Sequence, residues 1–279
     1  MNIPSFTVLG GGPTVLMLHG IGGGHLSFAP QLESLACAGY RAVAWDMPGY
    51  GRSAPIEPYT FKGLAQSCIT LIEALMGADA PGSAGTGSEA PGAGRTGAVT
   101  LLGHSMGGMV AQEVIARRPE LVNRLILCGT SASFGKPDGD WQREFIAERT
   151  APLDAGKSMA DLAEVLVAQM AGPQALPEGL RLARHCMAQV PGSTYRRALE
   201  ALVTFDRRAN LSQIHVPTLL LAGEHDRNAP PQVMKKMAAA ITGSTYLEMP
   251  GVGHLQNLEA PDDFDSLVLN FLALPRVLH

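Results

Sequence analysis

The sequence predicts an α/β protein: a mostly parallel central sheet flanked by helices, with a helical cap inserted in its second half. Three observations carry that prediction. Short apolar runs such as Thr14 to Leu18 (TVLML) and Val216 to Ala222 (VPTLLLA) suit strands buried on both faces, and they alternate with amphipathic helical patterns. The stretch Val99 to Met109 (VTLLGHSMGGM) passes from a β-branched run to a helical pattern through one very tight turn. From 135 to 210 the alternation stops and only helical spacings occur. The expected division is therefore a core of 1–134 and 211–279, with 135–210 as the cap.

With 279 residues, 46% hydrophobic content and a mean hydropathy of +0.10, the chain can bury a sizeable core as one domain with an insertion. Its net charge is −4, 21 basic against 25 acidic residues, and it has no basic block, so nucleic acid is not an expected partner. Cys37, Cys68, Cys128 and Cys186 are far apart and form no Cys-x-x-Cys, which suits small apolar packing in a reducing compartment. The opening MNIPSFTVLGGG has no charged leader and no later run reaches membrane-spanning length, so a soluble, cytoplasmic monomer or homodimer with no membrane partner is expected. No cofactor or metal is expected.

Taken in order, Ser5 to Leu9 reads as a short strand, Gly10 to Pro13 as a turn and Thr14 to Leu18 as a buried strand. The loop His19-Gly20-Ile21-Gly22-Gly23-Gly24 follows. A glycine-rich loop after a central strand can cradle phosphate, but no Gly-Lys-Ser/Thr ends it and the GxGxxG spacing is absent. The preferred reading is an oxyanion loop in which the Ile21 N–H serves with that of Met106. Phe28 to Ala38 has helical spacing stopped by Gly39. Arg41 to Trp45 is a strand, and Asp46 at its end is a rival candidate for a catalytic acid. Phe61 to Met76 is helical, with Leu64, Ile69, Leu71, Ile72 and Leu75 on its apolar side. The run 78–97 is glycine, alanine, serine and proline with almost nothing to bury, and is predicted to be a flexible surface insertion.

Leu125 to Cys128 is the next strand. Within 135–210, helices are predicted over Trp141 to Arg149, from Ser158 as N-cap through Met170, over Pro177 to Val190 and over Ser193 to Phe205. Met159, Met170 and Met187 in this block read individually as ordinary core residues. Val216 to Ala222 restores the strand pattern and runs into Gly223-Glu224-His225-Asp226. Gln232 to Ile241 is a helix, Ser244 to Glu248 the last strand, Gly251 to His254 a loop, and Asp263 to Leu272 the final helix.

Ser105 at the apex of the tight turn must adopt a strained backbone, and Gly103 and Gly107 remove side chains that would collide with the flanking strand and helix. A serine nucleophile needs a base and an orienter. Ser105, Asp226 and His254 each follow a strand, and in a parallel sheet such loops gather at one edge. His254 then takes the serine proton, Asp226 orients the imidazole, and the Ile21 and Met106 amides stabilise the oxyanion.

These motifs resemble the α/β-hydrolase superfamily over nearly the whole chain. The resemblance rests on His19-Gly20, Asp46-x-Pro48-Gly49-x-Gly51-x-Ser53, Gly103-His104-Ser105-Met106-Gly107-Gly108, Val216-Pro217-Thr218, Gly223-Glu224-His225-Asp226 and Gly253-His254. Leu127-Cys128-Gly129-Thr130, Ala229-Pro230-Pro231 and Asn257-Leu258-Glu259-x-Pro261 are most similar to carboxylesterases and 3-oxoadipate enol-lactonases. The resemblance implies a serine hydrolase that cleaves small-molecule carboxylic esters or lactones through an acyl-enzyme. Alternatives are a 3-oxoadipate enol-lactonase, a C–C bond hydrolase of aromatic degradation, or a triad-bearing ligand receptor with little turnover. Enol-lactonases tend to carry leucine in place of His104 and a small hydroxyl residue in place of Leu255, so a short-chain carboxylesterase is the preferred expectation. Candidate substrate-binding residues are His19, Gly20, His104, Trp141, Phe145, Leu166, Met170 and Leu255. Most of Arg143, Arg149, Arg181 and Arg184 are expected on solvated helix faces, and short neutral esters are the expected better substrates.

Overall fold

The computed structural model describes residues 2–77, 98–134 and 140–275. Among these residues seven strands form one sheet in the order β1-β3-β2-β4-β5-β6-β7. They are β1 (Phe6–Leu9), β2 (Thr14–Leu18), β3 (Arg41–Trp45), β4 (Val99–His104), β5 (Val122–Cys128), β6 (Thr218–Gly223) and β7 (Thr245–Met249). Only β1 runs antiparallel, against β3. The remaining pairs are parallel, with Leu16 opposite Leu101, Leu101 opposite Leu125 and Leu127 opposite Leu220.

The continuous apolar runs of the central strands follow from helices on both faces of a parallel sheet. Alternate residues point to opposite faces. Leu16, Leu18, Leu101, Leu125, Leu127 and Leu220 pack on one side with α2 (Phe61–Gly77), α3 (Met106–Arg117) and α8 (Pro231–Ala240). Val15, Met17, Leu102, Ile126, Leu219 and Leu221 pack on the other with α1 (Ala29–Cys37) and α10 (Pro261–Ala273). Each fully buried leucine or valine contributes roughly 1.5–3 kcal/mol relative to exposure.

Between β5 and β6 lie α4 (Asp140–Asp154), α5 (Met159–Met170), α6 (Pro177–Ala188) and α7 (Gly192–Leu202). Ser158 caps α5 as expected, its hydroxyl accepting from the Asp161 N–H while the Asp161 carboxylate accepts the Ser158 N–H. Helix α4 runs past Pro152 to Asp154, farther than the sequence suggests, because a proline in the last turn removes only one intrahelical bond. Gly156, at φ +82°, then turns the chain out of the helix. The helical block leaves and rejoins the core through a paired neck, Ser133 bridging Asp206 and the Phe134 N–H donating to the Phe205 carbonyl at 2.9 Å. This antiparallel contact between distant residues has no periodic signature in the sequence.

The insertion at 78–97 and the first residues of the predicted cap, 135–139, lie outside the described residues. Cys68, Cys128 and Cys186 are buried free thiols, whereas Cys37 is exposed at the end of α1, contrary to the packing expected of it. Among the described residues no helix is long and apolar enough to cross a membrane.

Candidate active site

The strand-to-helix turn places Ser105 at φ 53°, the one non-glycine residue with positive φ among the described residues. Such a conformation costs about 1–3 kcal/mol and persists only where its surroundings hold it. They do so here: the Ser105 N–H donates to the Cys128 carbonyl at 2.9 Å, and the Thr130 hydroxyl donates to the Ser105 carbonyl at 2.7 Å. Gly107 is required by space. A Cβ there would lie 2.0 Å from the Leu18 carbonyl oxygen, and one on Gly103 would lie 2.5 Å from the Gly108 Cα. Met106 opens α3, so its N–H has no carbonyl one turn back to bond.

The sheet edge brings three distant loops together. Ser105 Oγ lies 3.0 Å from His254 Nε2, and His254 Nδ1 lies 2.8 Å from Asp226 Oδ2. The other Asp226 oxygen accepts the Asn228 and Ala229 N–H groups at 2.8 and 2.9 Å. Burial alone would raise the Asp226 pKa, but the His254 charge and these hydrogen bonds outweigh it and hold the carboxyl below its ordinary value. Burial alone would likewise depress His254. The Asp226 charge and hydrogen bond, with the nearby Glu259 charge, outweigh that and raise its pKa above the ordinary histidine value.

Asp46, the rival acid, faces elsewhere. Its Oδ1 accepts the His25 backbone N–H at 3.0 Å and meets His25 Nδ1 at 2.9 Å, and its Oδ2 accepts from the Ser5 hydroxyl. These contacts brace the glycine-rich loop from one end. From the other, the Tyr50 hydroxyl donates to the Ile21 carbonyl at 2.9 Å. The loop passes so close to the elbow that a Cβ on Gly20 would lie 3.0 Å from the Ser105 Cβ. Ile21, the next residue, lines the same cavity as Ser105.

Above the elbow lies a cavity of about 370 Å³. Gly20, Ile21, His104, Ser105, Trp141, Phe145, Leu166, Met170, His254 and Leu255 all line it. His19 does not, which corrects its place among the candidate substrate contacts. Its ring is fully buried, with Nδ1 at 2.8 Å from the Gly20 carbonyl and Nε2 accepting the Met47 N–H at 2.9 Å, so it supports the loop from beneath. Burial pushes its pKa down to about 4. His104 stands in the wall with Nε2 donating to the His254 carbonyl at 2.7 Å, and burial followed by the His254 charge pushes it down to about 3. It is therefore a neutral neighbour of His254 rather than a second base.

Sequence reasoning missed one polar group. Glu259, in the short helix α9 (Gln256–Glu259), has no solvent exposure. It accepts the Gly172 and Gly253 N–H groups on Oε2 at 2.7 and 2.8 Å and the Leu255 N–H on Oε1 at 2.8 Å. The His254 N–H donates to the Met170 carbonyl at 2.8 Å. The histidine loop is thus fastened to the end of α5. A carboxylate between apolar residues in Asn257-Leu258-Glu259-Ala260-Pro261 is the one signal that could have pointed to it.

Comparison with known proteins is consistent across its kinds. The alpha/beta hydrolase family model matches residues 15–267. The "Putative carbamate hydrolase RutD" of Pseudomonas syringae pv. syringae (strain B728a) is 28% identical over 267 residues, covering 94% of each chain. Among solved structures, the enol-lactonase from Burkholderia xenovorans LB400 is 25% identical with a TM-score of 0.80, covering 97% of this chain and 96% of that one. A thermophilic esterase from Thermogutta terrifontis is also 25% identical with a TM-score of 0.80, covering 96% of this chain and 92% of that one.

Proposed function

We propose, from the premise that the chain belongs to the alpha/beta hydrolase family and is a hydrolase, that it cleaves small carboxylic esters or lactones through an acyl-enzyme on Ser105. The observation that carries this reading is the hydrogen-bonded line from Ser105 Oγ to His254 at 3.0 Å and on to Asp226 at 2.8 Å, opening into a cavity of about 370 Å³. Neutral His254 accepts the Ser105 proton through Nε2 as Oγ attacks the ester carbonyl carbon. The developing oxyanion takes hydrogen bonds from the Ile21 and Met106 amides, and Asp226 stabilises the imidazolium. His254 next hands the proton to the departing alkoxide. Water, deprotonated by the same imidazole, then releases the acid. Helices α4 to α7 act as a cap that roofs the acyl pocket. The cavity is at the small end of ordinary ligand sites, which suits acyl chains of roughly two to six carbons.

The reading predicts that Ser105→Ala loses p-nitrophenyl ester turnover by about a thousandfold or more while keeping its circular dichroism and melting temperature. Retention of a tenth of wild-type activity would reject it. A fluorophosphonate probe gives the second check: rapid labelling with near-zero ester turnover would indicate a receptor instead of an enzyme.

A further inference from the structure

The four arginines of α4 to α6 divide three to one. Arg143 pairs with Asp140, Arg181 with Glu178 and Arg184 with Glu164, all on helix faces as the sequence suggests. Arg149 is different. Half-buried near the end of α4, it lines the cavity beside Ser105 and His254 and faces no carboxylate among the described residues. Its guanidinium lies 5.1 Å from the centroid of the Phe145 ring, and Tyr195, a residue only 2% exposed, lines the same cavity near enough to feel its charge. A ring and a phenol do not neutralise a guanidinium. Arg227, exposed on the loop after β6, adds a second positive charge to the lining, and among the described residues no aspartate or glutamate lines the cavity. Asp226, the nearest acid in sequence, is 3% exposed and turned to His254.

A guanidinium held in a partly apolar wall without a counter-charge is costly unless something brings one. It also presents paired donors that match a carboxylate. We infer that the substrates carry a carboxylate in addition to the bond that is cleaved, and that Arg149 is the residue that holds it. The substrate class is then a monoester of a short dicarboxylic acid, or a lactone bearing a free carboxylate. Arg227 at the rim favours the approach of such anions without defining their pose. The inference rests on Ser105 being the nucleophile and replaces the neutral-ester preference expected from sequence, where no periodicity could tell Arg149 from its three paired neighbours.

The test compares monoethyl succinate with ethyl butyrate, two ethyl esters of matched length in which a carboxylate replaces a methyl group. The wild-type protein should show a kcat/KM at least about tenfold higher for the monoethyl succinate, the scale of one charge-assisted contact. That ratio should fall by about tenfold or more in Arg149→Gln, chiefly through KM, and fall less in Arg149→Lys, which keeps the charge but not the fork. Raising the salt should lower the wild-type ratio. Succinate should inhibit the wild type competitively and lose potency in Arg149→Gln, and melting curves establish that both variants are folded. Turnover of both esters without preference, or a ratio unchanged in Arg149→Gln, overturns the inference alone. Failure of the wild type to hydrolyse either ester would reject the hydrolytic reading and the inference together.

Discussion

In the proposed mechanism Ser105 attacks only while His254 is neutral, and the charges of Asp226 and Glu259 bear on when that is. Because Asp226 raises the His254 pKa, kcat/KM should rise with pH along an acid limb whose apparent pKa lies above the free-histidine value of about 6.5. His104, pushed down to about 3, adds no titration in that range. Asp226→Asn should remove the limb's upward displacement and lower the rate by several orders of magnitude, since the imidazole loses both its tautomer and the charge that supports its protonated form. Asp46→Asn should cost far less, because Asp46 bonds His25 and not His254. Parallel pH-rate profiles of the two variants check this. A larger loss at Asp46 would overturn the assignment of the acid.

At the scale of elements, the end of α5 and the loop from β7 to α9 act as one joint. A Cβ on Gly172 would lie 2.4 Å from the Gly251 carbonyl and one on Gly253 would lie 2.1 Å from the Met170 carbonyl, so the two backbones touch with no side chain between them. Glu259 closes the joint from inside with its three backbone contacts. Its proposed part is that of a positioning residue, acting through His254 without touching substrate. Glu259→Gln places amide hydrogens against backbone N–H groups and removes a negative charge that raises the His254 pKa. The expected outcome is a kcat lowered by roughly tenfold, the scale of one hydrogen bond to a charged group, together with an acid limb displaced to lower pH. A variant that melts earlier yet keeps both kcat and the limb would show that Glu259 only stabilises the fold.

Across the whole molecule the buried histidines make stability depend on pH. His19 and His104 are held neutral in the fold down to about 4 and 3, whereas in the unfolded chain they take up protons below about 6.5. The unfolded state therefore binds more protons in that window, and stability falls as the pH is lowered through it. His254, with its raised pKa, contributes in the opposite sense: its stabilisation is fully present below the unfolded value and is lost as pH rises through the folded one. Two groups against one leave a net loss in acid. Asp226, Asp46 and Glu113, all held below their ordinary values, add to that loss once the pH falls below about 4. Thermal melts should show a Tm lower by roughly 5 °C or more at pH 5 than at pH 7. A constant Tm over that interval would contradict the burial of His19 and His104 as neutral rings.

The elements whose side chains alternate between two buried faces were legible from the sequence alone, because burial imposes a local period: Thr14–Leu18 and Arg41–Trp45 fall where their apolar runs do. So was the elbow at Ser105, since only glycine fits where Gly103 and Gly107 meet the neighbouring backbone. Ser105, Asp226 and His254 could be matched as strand-end loops of one sheet edge for the same reason. What depended on contacts between distant residues had no such period. His19 was expected at the substrate, yet its ring turns under the loop because Met47, 28 residues on, offers its N–H there. Glu259 carried no visible purpose until α5 was brought against it. Arg149 became distinct from Arg143, Arg181 and Arg184 only when the fold set it in the wall of the cavity with Tyr195, without an ion-pair partner among the described residues. A charge's partner is a matter of position in three dimensions, and the tertiary structure alone decided it.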